Sequence, residues 1–345
     1  MTRITSWRSR AGIEISPRRV RAAVVHPRSA TVEMIAFDRI EPEQPVSMRE
    51  ATRIAAALVR HGWDRGSCAL LSPSDGLYMG TLDLPPRSSG APVDRLARAE
   101  VARVNGWTDD AFEITTWDLP ERERASAATR LGVAACTHRD LEPLLQSLDD
   151  GGLHVGAVIA KPCALARACE RHQETRTAFA VLIDVDWDEV TIGVLARGTL
   201  VYARTVPNTG LGAIATDIDA AAHCGSDASA RLLRLMLRRG TEEVLPADHR
   251  LSVATDRAVA QAIGRHIKDA SASLSYAASR FPDLPLTSIV ISGMGSPLLA
   301  GHAAWAPARC AVIPAAPRPG DDPAARAGAE CTPALGAALH LEDEA

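Results

Sequence analysis

Ala11-Gly12-Ile13-Glu14-Ile15-Ser16 opens the chain's first patterned run and sets an acid at the end of a strand, just before a tight turn. Ile13 and Ile15, then Val20, Ala22 and Val24, then Val32, Met34 and Ala36 recur at every second position, the period of half-buried strands. Pro17-Arg18 and Pro27-Arg28-Ser29 punctuate the three segments as turns. The arrangement returns far downstream. Ile183-Asp184-Val185 repeats Ile13-Glu14-Ile15, a valine follows each acid at the same spacing (Val20 or Val190), and both stretches continue as strand, turn, strand. Repetition over so long an offset predicts two related domains rather than a short-period solenoid.

Working outward, apolar spacing predicts helices over 47–61, 92–105, 137–148, 163–172, 227–239 and 256–280. Further strands are expected over 68–72, 77–84, 114–118, 131–136, 155–159, 180–183, 190–195, 200–205, 288–292 and 311–314. Arg197-Gly198 reads as a hairpin turn, and Thr137-His138-Arg139-Asp140 as a capping box. Glu121-Arg122-Glu123-Arg124 reads as a mobile charged loop, and 317–333, rich in Pro, Gly, Ala and Asp, as a loop or linker before a final helical turn over 334–340. The resulting organisation is a first lobe over 1–175 with a small insertion at about 77–153, a second lobe over 176–333, and a C-terminal helix and tail over 334–345.

Composition supports this and excludes alternatives. A chain of 345 residues exceeds the usual single core, and a 46% apolar fraction can fill two. A formal net charge of −4 with interspersed signs argues against a nucleic-acid surface, which needs a concentrated basic face. Basic residues are nearly all Arg; Lys161 and Lys268 are the two lysines, and the arginines read as solvated helix faces. The seven cysteines show no paired metal spacing, so buried thiols are expected, with His223-Cys224 as an interior pair. No apolar run approaches the ~18 residues of a membrane span, and the N-terminal residues carry charges without an apolar h-region. The expectation is a cytoplasmic chain without direct membrane insertion.

Three places carry chemistry. Glu14 and Asp184 each end a strand at a hairpin, and two such hairpins facing a cleft could cradle phosphates on backbone N–H groups while the acids hold Mg²⁺ through water. The third is Ser292-Gly293-Met294-Gly295-Ser296, after a strand and before Pro297-Leu298-Leu299, where Gly293 and Gly295 would let a nucleotide approach the backbone and a helix N-terminus beyond them would favour anions. In this order the three resemble the actin-like ATPases, a two-lobed α/β fold related to ribonuclease H. Within that class the chain is most similar to PilM, the cytoplasmic actin-like family of type IV pilus assembly. Ala11–Ser16 stands at its opening Gly-Ile-Asp-Ile-Gly, Leu82-Asp83-Leu84-Pro85 at its leucine-proline segment, and Ile183-Asp184-Val185-Asp186 at its second Asp-Ile-Gly. Arg204-Thr205-Val206-Pro207 stands at its Arg-x-Ile, residues 291–296 at its serine-glycine turn, and residues 333–339 at its closing alanine-leucine-glycine helix.

The resemblance implies a nucleotide site at Glu14, Ser16, Arg21, Asp184, Asp186, Gly293, Gly295 and Ser296, with Asp184 as the metal ligand. The departures imply that this site is eroded, with no ATP/Mg binding or only weak binding. Ser16 and Asp186 replace both hairpin glycines, Asp186 adds a like charge beside Asp184, Glu14 replaces a shorter Asp, and Arg21 replaces a common lysine. Gly210 and Gly212 are what remains of a glycine pair after Pro207. The implied function is a scaffold of a type IV pilus or related secretion machine, held peripherally at the inner membrane by the cytoplasmic tail of a single-span membrane partner. The alternative is an active sugar-kinase-like phosphotransferase, which would need intact phosphate hairpins and a base carboxylate. A type II secretion counterpart would carry a membrane helix and a periplasmic domain. A membrane-tethered cell-division relative would end in a basic amphipathic helix, whereas Leu341-Glu342-Asp343-Glu344-Ala345 is acidic.

Overall fold

A computed structural model describes residues 8–29, 31–120, 128–169, 178–239, 249–280, 284–300, 311–314 and 328–341. The charged loop 121–127, residues 170–177 and most of the 317–333 stretch lie outside these residues. The chain divides into two compact units, the first comprising Met1–His172, Gly198–Tyr202 and Cys331–Ala345, the second Gln173–Arg197 and Ala203–Glu330.

The first unit is built on β1 (Arg10–Ile15), β2 (Arg19–His26), β3 (Thr31–Asp38), β4 (Cys68–Leu71) and β8 (Val155–Ile159), in the order β3-β2-β1-β4-β8. β1 and β2 form an antiparallel hairpin with Glu14 opposite Arg21, and β4 runs parallel to β1. The expected half-buried period is exceeded: nearly every residue of β1 and β2 is buried on both faces. Val20, Ala22 and Val24 face a core formed with α1 (Met48–Arg60), where Ile54 and Leu58 are fully buried. Ala23 and Val25 face the other way, onto a helix from the far end of the chain. That helix, Thr332–His340, is buried along its length, and its Leu335 and Leu339 each stabilise by about 1.5–3 kcal/mol through burial. The expected turn over 334–340 therefore starts earlier and is part of the first unit's core.

Inserted between β4 and β8 is a three-stranded antiparallel sheet of β5 (Leu77–Leu84), β6 (Phe112–Asp118) and β7 (Thr129–Thr137), in the order β5-β7-β6. Leu82, Leu84, Leu131, Val133 and Phe112 pack on Val93, Ala97 and Val101 of α2 (Val93–Asn105). Gly106, left-handed at φ 67, closes α2 as its spacing predicts. The next helix, α3 (His138–Asp150), departs from expectation: Thr137 makes no capping bond to a backbone amide, because its hydroxyl is engaged by the Asp140 carboxylate. Cys68, on β4, is fully buried, and burial pushes its thiol up to about 12, as expected of an interior cysteine.

A second five-stranded sheet, most of it in the second unit, repeats the strand order of the first. β9 (Phe179–Val185), β10 (Glu189–Ala196), β11 (Thr199–Pro207), β12 (Leu286–Ser292) and β13 (Ala311–Pro314) run β11-β10-β9-β12-β13. β10 runs antiparallel to β9, β12 runs parallel to β9 and β13 parallel to β12, with Asp184 opposite Thr191 and beside Ser292. Arg197 and Gly198 both adopt positive φ, the pairing that a two-residue hairpin turn requires.

Between β11 and β12 the described residues form three helices where the sequence reading expects two. α4 (Lys161–Cys169) closes the first-unit run, and in the second unit α5 (Leu211–Ala222), α6 (Ser226–Arg239) and α7 (His249–Arg280) come before β12. α5 is the unexpected one, and α7 starts seven residues before the predicted 256. A short α8 (Ser296–Ala300) follows the glycine turn, and the closing helix Thr332–His340 is α9.

Candidate functional site

In the first unit the hairpin turn is closed by Ser16. Its amide donates to the Arg19 carbonyl at 2.9 Å, its hydroxyl lies 3.1 Å from the same carbonyl, and the Arg19 amide donates back to Oγ at 3.2 Å. The side chain that replaces a glycine is thus bound into the turn itself. Glu14, at 6% exposure, holds two cations: Oε1 lies 3.0 Å from Lys161 Nζ and Oε2 3.3 Å from Arg21 Nη1. Arg21 is 2% exposed and Lys161 5%. β2 brings Arg21 to Glu14 through the hairpin register, and α4 brings Lys161 from its first residue.

The second hairpin turn has the same backbone bond, Asp186 N to Glu189 O at 3.0 Å, equivalent to Ser16 N to Arg19 O. Asp186 Oδ1 accepts the Trp187 amide at 2.6 Å. The start of α5 is laid against this turn. Leu211 N donates to Asp186 O at 2.9 Å and Gly212 N to Trp187 O at 2.8 Å, and a Cβ on Gly210 would strike both carbonyls. Gly210 and Gly212 thus let a helix N-terminus close on the hairpin. Trp187 is buried beneath the Arg234 guanidinium, 4.7 Å from the ring centroid.

Asp184, 1% exposed, accepts the Ser292 hydroxyl at 2.6 Å across the β9–β12 register. Gly293 sits at φ 82, a conformation L side chains rarely adopt, and a Cβ there would also strike the Val185 carbonyl. Gly295 donates to the Val185 carbonyl at 2.9 Å, and Ser296, 5% exposed, donates its amide to Gly293 O at 3.2 Å. Both glycines thus serve the close packing of the turn on β9. The structure brings Glu14 and Arg21 together in the first unit, and Asp184 and the 292–296 turn together in the second.

Lys161 is the residue that the sequence reading passes over. Its signal was present: in a chain whose basic residues are nearly all Arg, one of two lysines opens a helix after a strand. A compact ammonium fits a buried corner where a planar guanidinium fork would need more partners.

These residues do not fit a divalent metal at the first hairpin. Both oxygens of Glu14 already face buried cations, the Lys161 ammonium at 3.0 Å and the Arg21 guanidinium at 3.3 Å, and both would repel a metal ion brought to this carboxylate. Among the described residues no group of three or more His, Cys, Asp or Glu side chains is placed to hold a metal.

Two matching five-stranded sheets, each opening with an acid-bearing hairpin, and a small sheet inserted in the first unit define the actin-like ATPase fold. Among solved structures, the PilM-PilN type IV pilus biogenesis complex matches with a TM-score of 0.71 at 15% identity, over 96% of this chain and 97% of that one. The archaeal actin homolog Ta0583 matches at 0.51 and 13% identity over 98% and 100%. MreB5 of Spiroplasma citri, solved bound to ADP, matches at 0.50 and 10% identity over 94% and 95%. No family profile and no curated protein sequence matches the chain.

Proposed function

We propose that this chain is a PilM-like cytoplasmic scaffold of a type IV pilus or related secretion machine, with an eroded nucleotide site. It would hold the cytoplasmic tail of a single-span inner-membrane protein and stay peripheral to the membrane through that partner. The observation that carries this reading is the match to the PilM-PilN complex, which extends over nearly all of both chains. No described helix is long and apolar enough to cross a membrane, so attachment through another protein is the route the reading needs.

The inserted sheet offers a physical means of attachment. β5 pairs with β7 alone among the described strands, so its other edge can take an extended segment by strand addition. α2, with Val104 51% exposed, lies on the same subdomain and supplies apolar surface for side-chain choice. Affinity purification from cells, followed by titration of the recovered tail peptide, tests this. A Met79→Pro or Thr81→Pro change on the β5 edge is expected to weaken a strand-adding peptide about tenfold or more while the fold persists. Recovery of soluble metabolic enzymes without a membrane protein, with the distribution between cytosol and membrane unchanged when pilus genes are deleted, would sink the scaffold and favour a kinase.

The nucleotide side is tested separately. Calorimetry with Mg-ATP is expected to show nothing tighter than roughly the millimolar range, about 4 kcal/mol. Ser16 and Asp186 stand at both turns, and α5 amides are already bonded to the second turn's carbonyls. Micromolar binding, or ATP turnover abolished by Asp184→Ala, would overturn it.

A further inference from the structure

We infer that Lys161 is a resident cation: with Arg21 it neutralises Glu14 inside the first unit, so that this hairpin is complete without a divalent metal. The actin-like fold leads one to expect a carboxylate here that helps hold Mg²⁺. Here both oxygens of that carboxylate face fixed positive charges, the ammonium at 3.0 Å and the guanidinium at 3.3 Å. All three side chains are less than a tenth exposed, so the cluster is screened little by solvent or salt. A buried carboxylate needs a positive partner, and that partner is built into the chain.

The sequence sources of the cluster are distinct, which makes it a designed unit rather than a chance pairing on one element. Glu14 ends β1, Arg21 sits opposite it on β2, and Lys161 opens α4. The triad therefore ties the hairpin to the start of α4, in addition to answering the acid's charge. This assignment stands whether or not the chain serves a pilus, because it concerns only what Glu14 binds.

The test uses the full chain and Mn²⁺ alone, read by electron paramagnetic resonance, with thermal melts in Mg²⁺ and in EDTA. The expected result is no one-to-one Mn²⁺ site tighter than about 1 mM and the same Tm in both buffers. In parallel, Glu14→Gln and Lys161→Met should each lower the Tm, and the double variant should lie well above the sum of the two losses, because the partners are coupled. A stoichiometric Mn²⁺ site that Glu14→Gln abolishes, or losses that simply add, would overturn the assignment. Should Glu14→Gln fail to fold, Glu14→Asp takes its place: a Mn²⁺ affinity that this change alters overturns the assignment, and one that it leaves unaltered supports it.

Discussion

Truncating Glu50 to alanine is expected to lower the stability of the first unit by about 3–5 kcal/mol, the cost of leaving a buried charge without its partner. Glu50 is fully buried and Arg39 is 8% exposed. Glu50 Oε2 accepts from Arg39 Nε at 3.0 Å and Nη2 at 2.7 Å, while Oε1 accepts the Ile40 amide at 3.0 Å. The same guanidinium donates to the carbonyls of Gln44 and Pro17, so it links the start of α1, the end of β3 and the first hairpin turn. Loss of the carboxylate strands the guanidinium and one amide together. For a unit of this size the melt should fall by roughly ten degrees. A Glu50→Leu, Arg39→Met double change should recover most of the loss, since replacing a buried pair by apolar side chains of similar volume is often neutral. A change within about 0.5 kcal/mol for Glu50→Ala would show the pair to be solvated.

That pair also marks the boundary of what the sequence discloses. The alternation of Ile13, Ile15, Val20, Ala22 and Val24, and its return around Asp184, exposes both hairpins because strand period is a local property. The two-sided burial of β1 and β2 is not local. It depends on α9 arriving from residue 332 onward, which packs on Ala23 and leaves no room for a Cβ on Gly12. The same holds for Lys161, whose partner lies on the first strand of the unit.

The missed helix has a different cause. Gly210 and Gly212 are what remains of the glycine pair that the resemblance implies after Pro207, and glycine is a poor helix signal. In the structure the first is the N-terminal cap of α5 and the second lies in its first turn, where the Asp186 and Trp187 carbonyls leave no room for a Cβ on Gly210. A close approach of backbone to backbone produces the same letter as a phosphate cradle. At Gly210 the close approach is present, and the letter alone does not announce it. The side chains around both hairpins show Ser16, Asp186 and Glu14 each engaged by the protein itself.

Glycine to alanine should have opposite signs at two helical sites of this chain. Gly336 lies in the middle of α9, where a Cβ would run into the carbonyl group of Ala164 on α4. On another side of the same helix, the Ala334 carbonyl and Ala338 amide rest where a Cβ on Gly12 would be. α9 is therefore held between β1 and α4 with backbone on both sides, and no flexible side chain can give way. Overpacking of this kind costs about 1–3 kcal/mol where neighbours can shift, and the upper end or beyond applies here. Gly336→Ala should unfold the first unit several degrees earlier, and Gly12→Ala should do the same. Gly264, in α7 of the second unit, is exposed, and a Cβ there would meet nothing within 4 Å. Gly264→Ala removes backbone freedom from the unfolded chain without a steric cost, so it should stabilise the second unit by about 0.4–1 kcal/mol. Calorimetric melts of the three variants check both signs. A neutral Gly336→Ala would mean that α9 does not pack against α4 at this distance, and the first unit's core would have to be redrawn.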